Sequence, residues 1–326
     1  MFKKMMVCLD GSELAESVLP YAAAQALRFN SEVVLFRAVP PPAPITPAAP
    51  MAAPAPAEAG LLPVGMEHAE AAARKYLEKV GKSLRAKGLS VKEAVTTGPA
   101  PQALAEYAAA ENVDLVALST HGHSGLVRAI MGSVTDLALR ELGLPTLALR
   151  PRDGEQARPA GFQPSFKEIL VCLDGSPLAA QVLPYATEEA LRFDAKVRLV
   201  RVLTVPAAVT AAAGPDKPVM SGELLEESLR GEEAGARAYL DEAAQPLLEK
   251  GIDVECVVLQ PSATGSAIVE FARARSADLI CMATHGRTGL GRVVLGSVTD
   301  QVLRESGLPL FMVKPRETGK GGGDRR

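Results

Sequence analysis

Short apolar runs alternate with longer stretches of helical periodicity along the amino-terminal half of the chain. Met5–Leu9 predicts a strand, Glu13–Phe29 carries apolar residues at helical spacing, and Glu32–Val39 predicts a second strand. The alternation continues with a helix over Glu67–Lys87, a strand over Val91–Thr96, a helix over Pro101–Ala110 and a strand over Leu115–Leu118. A helix over Ser133–Leu142 and a last strand over Thr146–Leu149 complete the half. Strands separated by helices cannot be joined as hairpins, so the pattern predicts parallel strands with right-handed crossovers, a doubly wound α/β sheet. The first and fourth strands, "MMVCL" and "LVAL", are apolar throughout, which places them where both faces of the sheet are covered.

The same pattern is written twice. At an offset of 164 residues, "MMVCLDGSELAESVLPYAAAQALRFNSEVVLFRAV" aligns with "ILVCLDGSPLAAQVLPYATEEALRFDAKVRLVRVL" without a gap. Near the end of each half, "STHGHSGLVRAIMGSVTD" from Ser119 aligns with "ATHGRTGLGRVVLGSVTD" from Ala283. This is duplication of a whole domain rather than a short solenoid repeat. It predicts domains over residues 1–151 and 165–316, a linker over 152–164 and a disordered tail over 317–326. Two segments break the alternation: Pro40–Gly60 and Thr204–Met220, where proline removes donors and fixes φ. Both follow the second strand of their half, either as connectors or as flaps over a site at the carboxyl edge.

Composition narrows the function classes. The chain of 326 residues is 48% hydrophobic and 22% charged, which is globular. Sixteen basic residues face sixteen acidic ones up to Pro164, and nineteen face twenty-two after it, so neither half has the basic excess of a nucleic-acid surface. No run approaches the ~20 apolar residues of a membrane span, and the amino terminus leads into a strand rather than a signal peptide; the expected location is the cytoplasm. Cys8, Cys172, Cys256 and Cys281 all lie in strand-like runs without a CxxC pair, so buried reduced thiols are expected.

In open α/β sheets the ligand site lies beyond the carboxyl ends of the strands, where strand order reverses. The first strand of each half ends in Asp-Gly-Ser (Asp10 and Asp174), and the fourth ends in Thr-His-Gly (Gly122 and Gly286). Nine residues after that glycine come Gly132-Ser133 and Gly296-Ser297. The serine is expected as an N-cap, with Asp136 or Asp300 three residues on in an acidic variant of the capping box. Glycine lets a ligand approach the backbone, and the uncompensated N–H groups of a helix start attract an anion. Arg287 adds a cation where the first half has His123, so the second half is expected to bind better. There is no GxxxxGK[ST] and no GxGxxG after the first strand, which excludes the P-loop and dinucleotide fingerprints. His121 and His285 have no sequence-evident nucleophile beside them and are read as shaping the loop.

Together these motifs resemble the universal stress protein family, in a tandem two-domain form, over Lys3–Pro151 and Lys167–Pro315. The resemblance implies a five-stranded parallel sheet in the order 3-2-1-4-5. It further implies an intrachain pseudo-dimer, with Thr146–Leu149 pairing with Leu310–Val313, and leaves a homodimer open. It implies ATP or AMP as ligand, with Mg²⁺ as an optional companion, and a regulatory or protective role with hydrolysis slow or absent. The family pattern G-x2-G-x9-G-[ST] lacks its first glycine in both halves, where Ser119 and Ala283 stand. Residue by residue, Asp10 and Asp174 would contact the nucleotide, and Ala38 and Val202 would meet adenine through the backbone. Gly122, Gly132 and Ser133, with Gly286, Gly296 and Ser297, would cradle the phosphates, assisted by Arg287. An ATP hydrolase of the same wider fold and an interaction scaffold with degenerate sites are the alternatives; no partner of nucleic-acid or membrane type is expected.

Overall fold

The computed structural model describes residues 1–41, 61–120, 137–151, 162–203, 222–285 and 295–316. The chain divides into two compact units, one built on Met1–Leu147 and the other on Pro164–Arg326.

The first unit contains β1 (Lys4–Cys8), α1 (Glu13–Glu16), α2 (Leu19–Phe29), β2 (Glu32–Val39), α3 (Leu61–Arg85), β3 (Val91–Thr97), α4 (Ala100–Ala110), β4 (Leu115–Ser119), the wide helical turn α5 (Ala138–Leu142) and β5 (Thr146–Leu149). Its strands run in the order β3-β2-β1-β4-β5, as the resemblance implied. β1 lies parallel between β2 and β4, with Met5 opposite Val33 and Leu115. Met5, Met6 and Val7 are fully buried, so burial of both faces of β1 follows from its unbroken apolar run. α3 covers its side with Ala73, Leu77, Val80 and Leu84, a stripe at helical spacing.

The second unit repeats the plan with β6 (Glu168–Cys172), α6 (Pro177–Ala180), α7 (Leu183–Phe193), β7 (Lys196–Val202), α8 (Gly222–Leu248), β8 (Val254–Leu259), α9 (Thr264–Ala274), β9 (Leu279–Ala283), α10 (Ser297–Glu305) and β10 (Leu310–Val313). Its order is β8-β7-β6-β9-β10. Details of packing are duplicated as well. Phe2 meets Phe29 at 5.2 Å between ring centroids, and Phe166 meets Phe193 at 4.9 Å. At the amino edge, the Asp114 carboxylate accepts from the Lys3 and Lys4 amides, and Asp278 accepts from those of Lys167 and Glu168.

Three expectations need correction. The single helix over Glu13–Phe29 is two helices, broken at Ser17–Val18. Pro20 sits in the first turn of α2, where its missing N–H costs nothing, whereas inside a continuous helix it would delete a hydrogen bond. Pro184 does the same in the second unit. The long helix begins at Leu61, before the predicted Glu67. Finally, Cys172 and Cys281 are buried, but Cys8 and Cys256 are partly exposed, Cys256 on the edge strand β8. The predicted helix start at Ser133 and both proline-rich segments fall largely outside the described residues.

Candidate functional site

The carboxyl ends of the first and fourth strands are neighbours in both units, through Val7 opposite Ala117 and Cys172 opposite Met282. This is the switch point at which a ligand cleft forms. The loop leaving each first strand is held in one shape by its own aspartate. Asp10 Oδ1 accepts from the Ser12 amide at 2.9 Å and the Ser12 hydroxyl at 2.7 Å, and Ser12 Oγ accepts from the Ala15 amide at 3.0 Å, capping α1. Asp174, Ser176 and Ala179 repeat this at 2.9, 2.6 and 3.1 Å. The turn passes through Gly11 at φ +92° and Gly175 at φ +88°, conformations that favour glycine.

A second reason for glycine here was not anticipated from the sequence. A Cβ on Gly11 would stand 2.8 Å from Arg37 Nη1, and one on Gly175 would stand 2.9 Å from the Arg201 guanidinium. Arg37 reaches back from the end of β2 with its guanidinium 5.2 Å from the Tyr76 ring centre, and Arg201 lies 5.6 Å from that of Tyr239. Burial, then the neighbouring Glu16 carboxylate, pushes the Tyr76 phenol up; burial, then the Asp174 charge, does the same to Tyr239. Each unit therefore packs aspartate, glycine, arginine and tyrosine at the carboxyl edge. The signal was legible in principle: an arginine interrupts an apolar strand at the same place in both copies, "FRAV" and "VRVL".

In the second unit a cavity of about 280 Å³ opens over this edge. Asp174, Val202, Thr284, His285, Gly296 and Ser297 are among the residues lining it. Four of the predicted site residues, Asp174, Val202, Gly296 and Ser297, are thus brought together. Asp10 and Ala38 stand at the corresponding strand ends of the first unit, while Gly122, Gly132, Ser133, Gly286 and Arg287 lie outside the described residues.

The start of α10 differs from the expectation. The N-cap is Gly296, not Ser297, and no side chain caps the helix. The Gly296 amide donates to Thr284 O at 2.8 Å, and a Cβ there would press on that oxygen at 3.0 Å. This close approach shifts the cap one residue towards the amino terminus. Asp300 consequently falls one place beyond the capping-box position, and its carboxylate meets Arg304 at 2.9 Å instead. The first N–H groups of a helix have no intrahelical partner. Among the described residues, those of Ser297, Val298 and Thr299 meet no acceptor, and all three residues line the cavity. His285 Nδ1 lies 3.1 Å from Thr284 Oγ1. Where the first family glycine is missing, Ser119 accepts from the Ser17 hydroxyl at 3.1 Å, and Ala283 O accepts from Thr299 Oγ1 at 3.2 Å.

No group of three His, Cys, Asp or Glu side chains suited to a metal ion occurs among the described residues, and no described helix is long and apolar enough to cross a membrane. Burial pushes the Cys172 thiol, which lines the cavity, up to about 12.

The sequence model of the universal stress protein family matches residues 1–150 and again 165–314. A universal stress protein of Mycolicibacterium smegmatis is 25% identical over 317 residues, spanning 96% of this chain and 97% of that protein. One from Methanocaldococcus jannaschii is 34% identical over 149 residues, 46% of this chain and 82% of its own length. Among solved structures, a universal stress protein from Archaeoglobus fulgidus superposes with a TM-score of 0.64 at 18% identity, covering 97% of both chains.

Proposed function

The chain belongs to the universal stress protein family, and from that premise we propose that it is a stress-response protein that binds an adenine nucleotide, ATP or AMP, as a regulatory ligand and turns it over slowly or not at all. The observation that carries this reading is the start of α10: three N–H groups without an acceptor among the described residues, on the wall of a cavity whose far side is Asp174 and the end of β7. An anion there would satisfy the orphan donors and the positive end of the helix dipole together. In this reading phosphate oxygens accept from the amides at Ser297–Thr299, beside Gly296, with Gly286 and Arg287 completing the cradle. Adenine packs at the end of β7 against the Val202 backbone, and the Asp174 carboxylate, oriented by Ser176, takes a hydroxyl or amino donor of the nucleoside. Asp10, Ala38, Gly122, Gly132 and Ser133 have the same parts in the first unit. Mg²⁺ would be carried by the phosphates, because the described residues offer no metal cluster of their own.

Titration calorimetry of the full chain with ATP, ADP and AMP, with and without Mg²⁺, tests the reading. Gly296→Trp fills the cavity and is expected to remove the second unit's share of the stoichiometry. A folded protein that gives neither heat nor a thermal shift at millimolar nucleotide would overturn it.

A further inference from the structure

The first crossover of each unit breaks between two helices, and the residue at the break is tied to another part of the cleft. That residue is Ser17, directly after α1, in the first unit and Gln181, directly after α6, in the second; the two correspond at the 164-residue offset. The short helix they end belongs to the nucleotide cleft. Ala179 of α6 lines the cavity, and its amide is capped by Ser176, which the Asp174 carboxylate holds in turn.

The two copies make this tie with different chemistry. In the first, the Ser17 and Ser119 hydroxyls are hydrogen-bonded at 3.1 Å, which joins the end of α1 to the last residue of β4. In the second, the residue at the strand end is Ala283, which has no hydroxyl to offer. Gln181 binds instead the chain leaving β10: its Nε2 donates to the Arg316 carbonyl at 2.8 Å, and its Oε1 accepts from the Arg316 amide at 2.7 Å. A side-chain amide carries donor and acceptor side by side, so it can pair with a backbone residue as a neighbouring strand would. β10 in turn holds the fourth strand of its unit. Val313 lies opposite Ala283, and its carbonyl accepts from the Thr284 amide at 2.9 Å. Ala283 and Thr284 both line the cavity, so the end of α6 and the end of β9, two walls of one cleft, are linked through a few residues of the last strand. Positions 119 and 283 are also those at which the family pattern lacks its first glycine. Both copies therefore carry a Cβ there and a tie between the same two elements, closed by serine with serine in one and by glutamine with backbone in the other.

Resting on the nucleotide reading above, we propose that Ser17 and Gln181 are positioning residues, clasps that hold each cleft at the width the nucleotide requires. Gln181 does not itself line the cavity. It acts by fixing the separation between α6, which follows the aspartate loop, and β9, which leads into the glycine segment. A cleft already held at that separation has less freedom to lose on binding, so the clasp raises affinity without adding a contact to the ligand. Nucleotide and clasp then favour the same state, and by linkage each strengthens the other.

Residue-resolved amide hydrogen exchange and titration calorimetry of the full chain with ATP test this, with folding of every variant checked by circular dichroism. Without nucleotide, the Arg316 amide is expected to exchange more slowly in the wild type than in Gln181→Ala. Saturating ATP is expected to slow it further in the wild type and to leave it unchanged in the variant. Calorimetry uses a Gly132→Trp parent, in which the first cleft is filled and the second alone titrates. In that parent, Gln181→Ala is expected to weaken ATP by roughly 3- to 10-fold, the range for one or two lost neutral hydrogen bonds. Gln181→Ser is expected to weaken it likewise, and adding Ala283→Ser, which installs the first unit's serine pair, is expected to restore it. A residue that only stabilised the fold would not be rescued in affinity by a hydroxyl placed on the other wall. The proposal is overturned if Gln181→Ala binds ATP as the parent does, if Ala283→Ser brings no recovery, or if Arg316 exchange responds neither to Gln181→Ala nor to ATP. A parent that takes up no ATP while its Arg316 amide stays protected would overturn the nucleotide reading and the clasp's role with it, a result distinct from ATP binding that is indifferent to Gln181.

Discussion

Replacing Gly175 by alanine separates two costs that the structure superimposes. The first is backbone strain: at φ +88° a Cβ costs about 1–2 kcal/mol. The second is displacement, because the new Cβ would stand 2.9 Å from the Arg201 guanidinium and push it off Tyr239, forfeiting a cation–π contact of about 0.5–1 kcal/mol. Gly251 supplies the control: its φ is +77°, but a Cβ there meets nothing within 4 Å. Gly251→Ala should therefore lose about 1–2 kcal/mol and Gly175→Ala about 1.5–3 kcal/mol. In an Arg201→Ala background there is no guanidinium to displace, so Gly175→Ala should cost no more than the strain alone. The four-species cycle should then return a coupling of about 0.5–1 kcal/mol. Urea unfolding of the full chain, followed by far-ultraviolet circular dichroism at constant pH and salt, measures each value. If Gly175→Ala is no worse than Gly251→Ala, or if the cycle is additive, the guanidinium does not depend on that glycine and the account of the loop is wrong.

Three further outcomes follow from the same geometry. Glu111 is held by Lys92 and Lys4, whose hydrogen bonds lower its carboxyl to about 2. A depressed carboxyl contributes stability above its unfolded pKa and loses it as pH falls through the folded one. Glu111→Gln should therefore lower the urea midpoint at neutral pH, with the gap closing between about pH 4.5 and pH 2 and narrowing with salt; a gap independent of pH would refute the assignment. Ser12→Ala and Ser176→Ala each remove an N-cap and should each cost about 1 kcal/mol by denaturant titration; a loss confined to one copy would show that the caps are not equivalent. Burial pushes the Cys172 thiol up to about 12 and raises that of Cys281 well above the usual thiol range. Alkylation of Cys172 and Cys281 in the native chain at pH 8 should thus run at least a hundredfold slower than in urea, since a reference thiol titrates near 8.5; native labelling of these two at the unfolded rate would contradict their burial.

The parallel sheet and the burial of the first and fourth strands could be read from the chain because they rest on unbroken apolar runs and on helices long enough to enforce parallel crossovers, whereas the strand order came with the family resemblance. Met5–Val7 and Leu115–Leu118 have one physical option, burial on both faces, and they take it. Helix ends were harder because they depend on single contacts. The break at Ser17–Val18 turns on where Pro20 can be tolerated. The cap at Gly296 turns on one amide reaching the Thr284 carbonyl, a tertiary contact that no local pattern encodes. Sequence pattern favoured serine over glycine at that cap, and the contact reversed the preference.

The candidate site shows the same division between local and tertiary causes. Asp10 and Asp174 were found because Asp-Gly-Ser is a local motif whose hydrogen bonds close within three residues. Arg37 and Arg201 were missed because their roles exist only after β2 and β7 lie alongside β1 and β6, bringing a guanidinium over a glycine some 26 residues away in sequence. Yet the duplication carried a usable signal. An arginine in an apolar strand costs burial energy unless its stem is covered and its head is stacked or paired. Meeting that cost twice requires a partner in both copies, and Tyr76 and Tyr239 supply it. The partner is common to the two units, but the helix surface beyond it is not. His68 and Ala72 on α3 correspond to Gly231 and Gly235 on α8. Both glycines stand on the exposed face of α8, where a Cβ would meet nothing within 4 Å, so the two copies share the stacked arginine and differ on the solvent side of the helix that covers it.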